Sequence, residues 1–311
     1  MIIKAPIDLE LTQNSGQTSQ PPWKLDNNIY SDVVVADNKA VLFQVKQKEN
    51  NLDFNFIGDI SNKEATKKIK TIFDLDFNLN KFYKYLNNQP ELADMTNFCR
   101  DLRLFLAKDK FECVISSVCS ANNSIVRWTK SIDDIKKSWG NKYTYSEKDY
   151  FTFPDVSDFK NIYCDDVEEF ECCSNLNNPG ECINNLKSCG VGYRAPYMKK
   201  ASEIFTLEMD LDDISKMSYN EAFDTMLKVP GVGPKVADCI LLYGFNFRQA
   251  FPTDVWIKRI VSYFYFDGKD INVSKIREFG MEEFGDYAGY VQLYLFHYAR
   301  MSGLMKKLKG M

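Results

Sequence analysis

The sequence predicts an α+β protein, with a small N-terminal antiparallel β-sheet domain followed by a large all-helical body. Three observations carry this expectation. Residues 32–59 alternate β-branched and aromatic side chains with polar ones, broken at Asp37-Asn38 and again at Lys48 to Asn51; both breaks are turn formers between antiparallel strands. From about Phe77 onward apolar residues recur at helical spacing instead. The chain of 311 residues is 45% hydrophobic and 14% aromatic, enough for one large core or two domains sharing an interface. The boundary falls at 1–75 for the sheet domain and 76–311 for the helical body.

Charge and cysteine usage narrow the function classes. The net charge is −4, and an acidic segment at 164–189 accounts for it. Six acids and one lysine give that segment −5, leaving about +1 for everything else by subtraction. A nucleic-acid partner is compatible with this balance, but bulk electrostatic attraction to one would be weak. The same segment holds five of the nine cysteines, Cys164, Cys172, Cys173, Cys182 and Cys189. It also contains Pro179-Gly180 and reads as a loop inserted between two helices. Its spacing, C-x7-C-C-x8-C-x6-C, fits no common zinc or iron–sulfur pattern, so reduced thiols without a metal are expected. No apolar run of about 18 residues is present to span a membrane, and no signal-peptide core opens the chain. The expected location is the cytoplasm, or the nucleus in a eukaryotic cell, with no membrane association and a monomeric state.

The stretch "VPGVGPKVADC", residues 229–239, is the main candidate for chemistry. Gly231 and Gly233 permit a tight turn, and Pro234 suits the first position of a helix. From there Lys235, Cys239 and Leu242 fall on one helical face. A glycine hairpin running into a helix leaves unpaired N–H groups at its N-terminus, which hold a phosphate oxygen well. The nucleotide-loop patterns G-x-G-x-x-G and G-x-x-x-x-G-K-[ST] are absent. Nineteen residues beyond Lys235, "FPTDV" places Asp254 as an N-cap for a second helix. An amine at a helix N-terminus is disfavoured in its charged form, which favours nucleophilic attack. A fixed carboxylate can steady positive charge developing on a sugar ring. Together they suit cleavage of the bond between a base and its deoxyribose.

"VPGVGPKVADC" and "FPTDV" resemble the helix–hairpin–helix and Gly/Pro…Asp loop of the DNA glycosylase superfamily (HhH-GPD). "DLELTQNSGQ", "FECVISSVCSANNSIVR", "GVGYRAPY" and "GDYAGYVQLYLF" resemble its 8-oxoguanine DNA glycosylases. The resemblance runs in order from about residue 8 to 300 and implies a two-lobed helical body with its hairpin at 229–238. It implies a bifunctional glycosylase and AP lyase acting on double-stranded DNA without a cofactor. Lys235 would be the nucleophile that forms a Schiff base, and Asp254 the catalytic acid. Phe296 would stack on the flipped base and Gln292, one turn away on the same face, would bond its Watson–Crick edge. Cys239 would press on the other face of the base. The Gly16 carbonyl would accept the N7–H that distinguishes 8-oxoguanine from guanine. Asn122 would fill the gap left by the flipped base, and Arg127 and Arg194 would hold the orphaned cytosine. Tyr193 would be the wedge between base pairs. Ser124 stands where some members have a third asparagine.

One departure stands out. After Gly16-Gln17 the family continues with a small residue and then Phe-Arg-Trp, whereas this chain reads "TSQPPW", with Trp23 nearby. That leaves the floor of the base pocket, and a weakly catalytic homologue, open. An endonuclease III-like enzyme for oxidised pyrimidines is the alternative, but that branch usually carries a four-cysteine cluster loop after the catalytic Asp. No cysteine follows Cys239 here. An alkylated-base glycosylase would lack the hairpin lysine, and a hairpin module that merely holds DNA would not need Lys235, Asp254 and Gln292 together. His297 is the only histidine and is expected to be a packed helix residue.

Overall fold

The computed structural model describes residues 1–36, 39–164 and 184–308. The N-terminal part forms a five-stranded antiparallel sheet in the order β1-β5-β4-β3-β2. Its strands are β1 (Ile2–Ile3), β2 (Lys24–Asp26), β3 (Ile29–Ala36), β4 (Lys39–Lys48) and β5 (Asn51–Ile57), with α1 (Leu9–Asn14) between β1 and β2. The β3–β4 ladder pairs Tyr30 with Val45 and Val34 with Val41, the β-branched alternation of the sequence turned into cross-strand contacts. The Asp37-Asn38 turn lies outside the described residues. One sheet face packs on α2 (Asn62–Ile72), where Trp23 meets Phe73 edge-on at 5.4 Å between ring centres. Ser61 and Glu64 close a reciprocal capping box at the start of α2.

Helices dominate the rest. They are α3 (Leu79–Asn87), α4 (Met95–Phe98), α5 (Lys110–Ser120), α6 (Ile125–Trp139), α7 (Val156–Phe159), α8 (Ala195–Leu207), α9 (Leu211–Ile214), α10 (Tyr219–Met226), α11 (Pro234–Phe245), α12 (Val255–Tyr265), α13 (Val273–Phe284), α14 (Ala288–Met301) and α15 (Leu304–Leu308). The body is not wholly helical. A hairpin, β6 (Lys142–Tyr145) with β7 (Lys148–Phe151), interrupts it. Ser146 and Glu147 turn it with φ of +47° and +65°, and Tyr150 covers Val33 and Leu42 on the second face of the sheet. The alternating tyrosines of "KYTYSEKDYF" were its signal in the sequence. In the cysteine-rich insertion, Cys172, Cys173 and Cys182 lie outside the described residues. Cys164 is half-buried and Cys189 buried at its two ends.

An irregular segment, Leu102–Ala107, runs through the interior between the sheet and the helices. Leu102 to Leu106 are each 3% exposed or less. A buried stretch without helix or ladder partners must find hydrogen bonds elsewhere. Side chains from "TQNSGQTSQ" supply several of them. Gln17 accepts from the Phe105 N–H at 2.9 Å and donates to the Arg103 carbonyl at 3.0 Å. Gln20 donates to the Leu106 carbonyl at 2.8 Å, and Thr12 accepts from the Arg103 N–H at 3.3 Å. From the helices, Tyr294 donates to the Leu102 carbonyl at 2.9 Å and the Tyr243 carbonyl accepts from Ala107 at 2.9 Å. A second tie is ionic: Asp32 on β3 contacts Lys108 and Lys136, which also approach the buried Glu112 at 4.0 and 3.8 Å. Burial would push the Asp32 carboxyl up, but the two ammonium groups outweigh it and hold it below the usual range.

The Gln17 bonds carry a testable cost. Gln17→Ala leaves one N–H and one carbonyl of the buried segment unpaired, and each such group costs about 1–3 kcal/mol. Denaturant unfolding is expected to show a loss of roughly 2–4 kcal/mol; a change within experimental scatter would mean that water or another side chain replaces the amide.

Candidate active site

Four separate parts of the chain close around one narrow cavity of about 70 Å³. The loop after α1 contributes Ser15, Gly16, Gln17 and Thr18, and the first two turns of α11 contribute Lys235 and Cys239. Pro252 and Asp254 come from the approach to α12, and Gln292, Leu293 and Phe296 from α14. Tyr243 also lines it, at i+8 from Lys235. The face of α11 that meets the cavity is therefore Lys235–Cys239–Tyr243, with Tyr243 where the sequence pointed to Leu242. Its volume is below the roughly 300–1,000 Å³ of typical ligand pockets.

The hairpin explains how Lys235 comes to the cavity. Gly231 has φ +82°, and a Cβ there would lie 2.6 Å from Cγ of Tyr197. Both the backbone angle and the close approach require glycine. Gly233 is the N-cap of α11, with φ −91° and no side-chain capping bond, and nothing lies within 4 Å of where its Cβ would be. The helix thus starts with free N–H donors facing open space, Pro234 in its first turn and Lys235 half-buried beside it. Asp254 caps α12 by accepting from Trp256 at 2.9 Å and Ile257 at 2.8 Å, both through Oδ1. The second carboxylate oxygen takes no part in the cap, and the residue is half-buried at the cavity wall.

Three features set the polarity of the cavity. Gln292 is 8% exposed and its Oε1 has no hydrogen-bond partner among the described residues. A buried acceptor without a donor is costly and suits a ligand that brings one. Burial pushes the Cys239 thiol up, more than Lys235 and Thr18 lower it, so it stays protonated at neutral pH. Gly16 has φ +86°, and a Cβ there would come 2.5 Å from Cδ1 of Ile125 at the start of α6. The atypical "TSQPPW" stretch is a packed wall, with Thr18 Oγ1 3.2 Å from Ser117 Oγ and Trp23 Nε1 donating to Gln20 at 3.0 Å. Ser15, Thr18, Tyr243 and Pro252 were not singled out in the sequence; for Tyr243 the i, i+4, i+8 spacing was the available signal.

The other four candidates gather at the α5–α6 connection beside Gly16. Asn122 is exposed with φ +50°, and Arg127 is exposed in the first turn of α6. Tyr193 is 59% exposed, its ring 4.4 Å from the Arg194 guanidinium. Arg194 is arranged differently from the others. It is buried, and its nitrogens donate to the carbonyls of Ala121 (2.8 Å from Nε), Asn122 (3.0 Å) and Val191 (3.3 Å). In this arrangement it shapes the turn that presents Asn122. His297 is buried on α14, and burial together with Arg300 lowers its pKa, which keeps it neutral at neutral pH. No group of three or more His, Cys, Asp or Glu able to hold a metal occurs among the described residues.

The hairpin geometry gives an expected outcome. Gly231→Ala forces a strained backbone against a ring and should cost roughly 1–3 kcal/mol. Binding to any duplex should weaken with it, as read by fluorescence anisotropy. Unchanged affinity would mean that the hairpin does not touch DNA.

The chain is similar to known proteins over most of its length. Residues 1–114 match the family model of the 8-oxoguanine DNA glycosylase N-terminal domain, and residues 115–285 that of the HhH-GPD superfamily base excision DNA repair protein. The chain is 44% identical over 303 residues to a probable N-glycosylase/DNA lyase of Methanothermobacter thermautotrophicus, covering 97% of this chain and 96% of the relative. It is 26% identical to the N-glycosylase/DNA lyase of Saccharomyces cerevisiae, covering 95% and 84%. Its fold is similar to the Clostridium acetobutylicum 8-oxoguanine glycosylase/lyase solved with double-stranded DNA containing cytosine opposite 8-oxoG. That likeness has a TM-score of 0.77 and 29% identity over 97% of this chain and 98% of that one. With its sheet domain, its glycine hairpin and these matches, the chain belongs to the HhH-GPD superfamily of base excision DNA repair proteins, on the 8-oxoguanine DNA glycosylase branch.

Proposed function

We propose that this protein is a bifunctional DNA glycosylase and AP lyase that removes 8-oxoguanine, opposite cytosine, from duplex DNA. The observation that carries the reading is the convergence of Lys235, Asp254, Gly16, Cys239, Gln292 and Phe296 on one cavity beside an uncapped helix N-terminus. The Gly231–Gly233 hairpin holds a backbone phosphate through its free N–H groups, so the grip needs little net positive charge. The damaged nucleotide is turned out of the stack into the cavity. Phe296 and Cys239 take the two faces of the base, and the neutral thiol lets the base approach without a repelling charge. The orphaned Oε1 of Gln292 accepts from the N–H donors of a guanine Watson–Crick edge. The Gly16 carbonyl accepts the N7–H that only the oxidised base carries.

Chemistry follows at the sugar. Nζ of Lys235 attacks C1′ while the bond from C1′ to the base nitrogen breaks, and Asp254 steadies the positive charge on the ring. In net terms the base leaves with the proton that the lysine nitrogen gives up. The ring opens to an imine between Nζ and C1′. Loss of a proton from C2′ then expels the 3′-phosphate and nicks the strand, and water releases the lysine. Across the duplex, Asn122 fills the vacated space, Tyr193 wedges the stack and Arg127 meets the cytosine, on the turn that Arg194 holds. The enzyme acts where the cell keeps its DNA, the cytoplasm of a prokaryote or the nucleus of a eukaryote. Among the described residues no helix is long and apolar enough to cross a membrane.

Two substitutions separate these roles. Lys235→Gln should abolish excision and nicking of an 8-oxoguanine:cytosine duplex while binding persists. Persistent nicking would mean that another amine does the chemistry. Asp254→Asn keeps a side chain that caps helices as well as Asp, so stability should hold while single-turnover excision falls roughly 10²-fold. Unfolding of Asp254→Asn instead would place the carboxylate in the fold rather than in the reaction.

A further inference from the structure

Arg300, in the last turn of α14, touches both halves of the base pocket. Its Nη1 donates to the carbonyl of Ser15 at 3.2 Å, and its guanidinium carbon lies 5.7 Å from the centre of the Phe296 ring. A Cβ on Gly16 would stand 3.7 Å from the same Nη1. Ser15 is buried and Arg300 exposed, so one side of the guanidinium is in water and the other is fixed. Phe296 and Gly16 come from opposite ends of the chain, and their relative placement decides whether a base between them reaches a carbonyl acceptor. The loop has other anchors, since Ser15 Oγ donates to the Thr12 carbonyl and accepts from Gln17, and Gln17 and Gln20 hold it to the interior segment, but none of these bonds runs to α14.

We propose that Arg300 is a positioning residue for damage recognition. It fixes the Ser15–Gly16 peptide relative to the Phe296 ring, so that the Gly16 carbonyl meets the N7–H of the stacked base. This rests on the assignment of the cavity to 8-oxoguanine. The hydrogen bond turns the Ser15 carbonyl toward α14, which sets the orientation of the peptide link preceding Gly16. The guanidinium near the ring polarises Phe296 and restrains its rotation. Neither contact reaches the sugar, so the lyase step at Lys235 does not depend on it.

That separation supplies the test. Single-turnover excision of 8-oxoguanine opposite cytosine is compared with nicking of a preformed abasic site opposite cytosine, in the wild-type protein, Arg300→Met and Arg300→Lys. Arg300→Met keeps the apolar stem and removes the donor, and excision should slow about tenfold, the worth of one well-placed hydrogen bond. Nicking of the abasic site should stay at wild-type levels, and the thermal midpoint should fall by no more than the few degrees that one unpaired carbonyl costs. Arg300→Lys, which can still donate to Ser15, should recover part of the loss. Unchanged excision in Arg300→Met would overturn the proposal, and so would equal loss of both activities, which marks a merely structural role. Failure of the wild-type protein to excise 8-oxoguanine while it nicks the abasic site is a distinct result; it would overturn the substrate assignment, and this inference with it.

Discussion

The buried segment Leu102–Ala107 is the constraint on which the site depends. It crosses the interior with neither helix nor ladder of its own, and several of the elements that satisfy it also build the cavity. Gln17 and Gln20 bring in the loop with Gly16 and Thr18, the Tyr243 carbonyl ties in α11, and the Tyr294 hydroxyl ties in α14. Unpaired backbone in such surroundings is costly enough that the loop, the lysine helix and the stacking helix cannot drift independently. The sheet domain thereby contributes directly to the cavity, because its connection from α1 to β2 forms one wall.

The division of labour at the site follows local rules of helix ends. Two helices start at the cavity and are finished differently. At α12 a carboxylate caps the N-terminus, and that bond fixes the same carboxylate on the cavity that Lys235 also lines. At α11 a bare glycine leaves the N-terminus open, free to bind a phosphate from outside. On the proposed reading, the first arrangement secures a charge for the reaction and the second reserves donors for the substrate. On the same reading, a chain with net charge −4 grips a phosphate through backbone donors rather than through net positive charge.

Much of this was legible in the sequence because it depends on local pattern. The β3–β4–β5 meander follows alternation and turn chemistry, and the hairpin followed by α11 is written in Gly231, Gly233 and Pro234. Gln292 and Phe296 lie four apart, which places them on one face, and the structure does put both on the cavity. What was not legible depends on partners far away in the chain. "TSQPPW" read as a departure, and the interior segment shows why a glutamine is needed at position 20. Arg194 was expected to hold the orphaned cytosine, whereas here its nitrogens donate to three backbone carbonyls 3 and about 72 residues away. The β6–β7 hairpin was overlooked because a short aromatic alternation inside a helical stretch is weak evidence until there is a sheet face for it to cover.

The most direct test of the central claim is borohydride trapping followed by peptide mapping. Labelled duplexes carrying 8-oxoguanine opposite cytosine, an oxidised pyrimidine, or no damage are incubated with the protein, reduced and digested. The expected result is a covalent adduct with the first duplex alone, mapped to the peptide that contains Lys235. An adduct on a different lysine, or one formed only with the oxidised pyrimidine, would contradict the account.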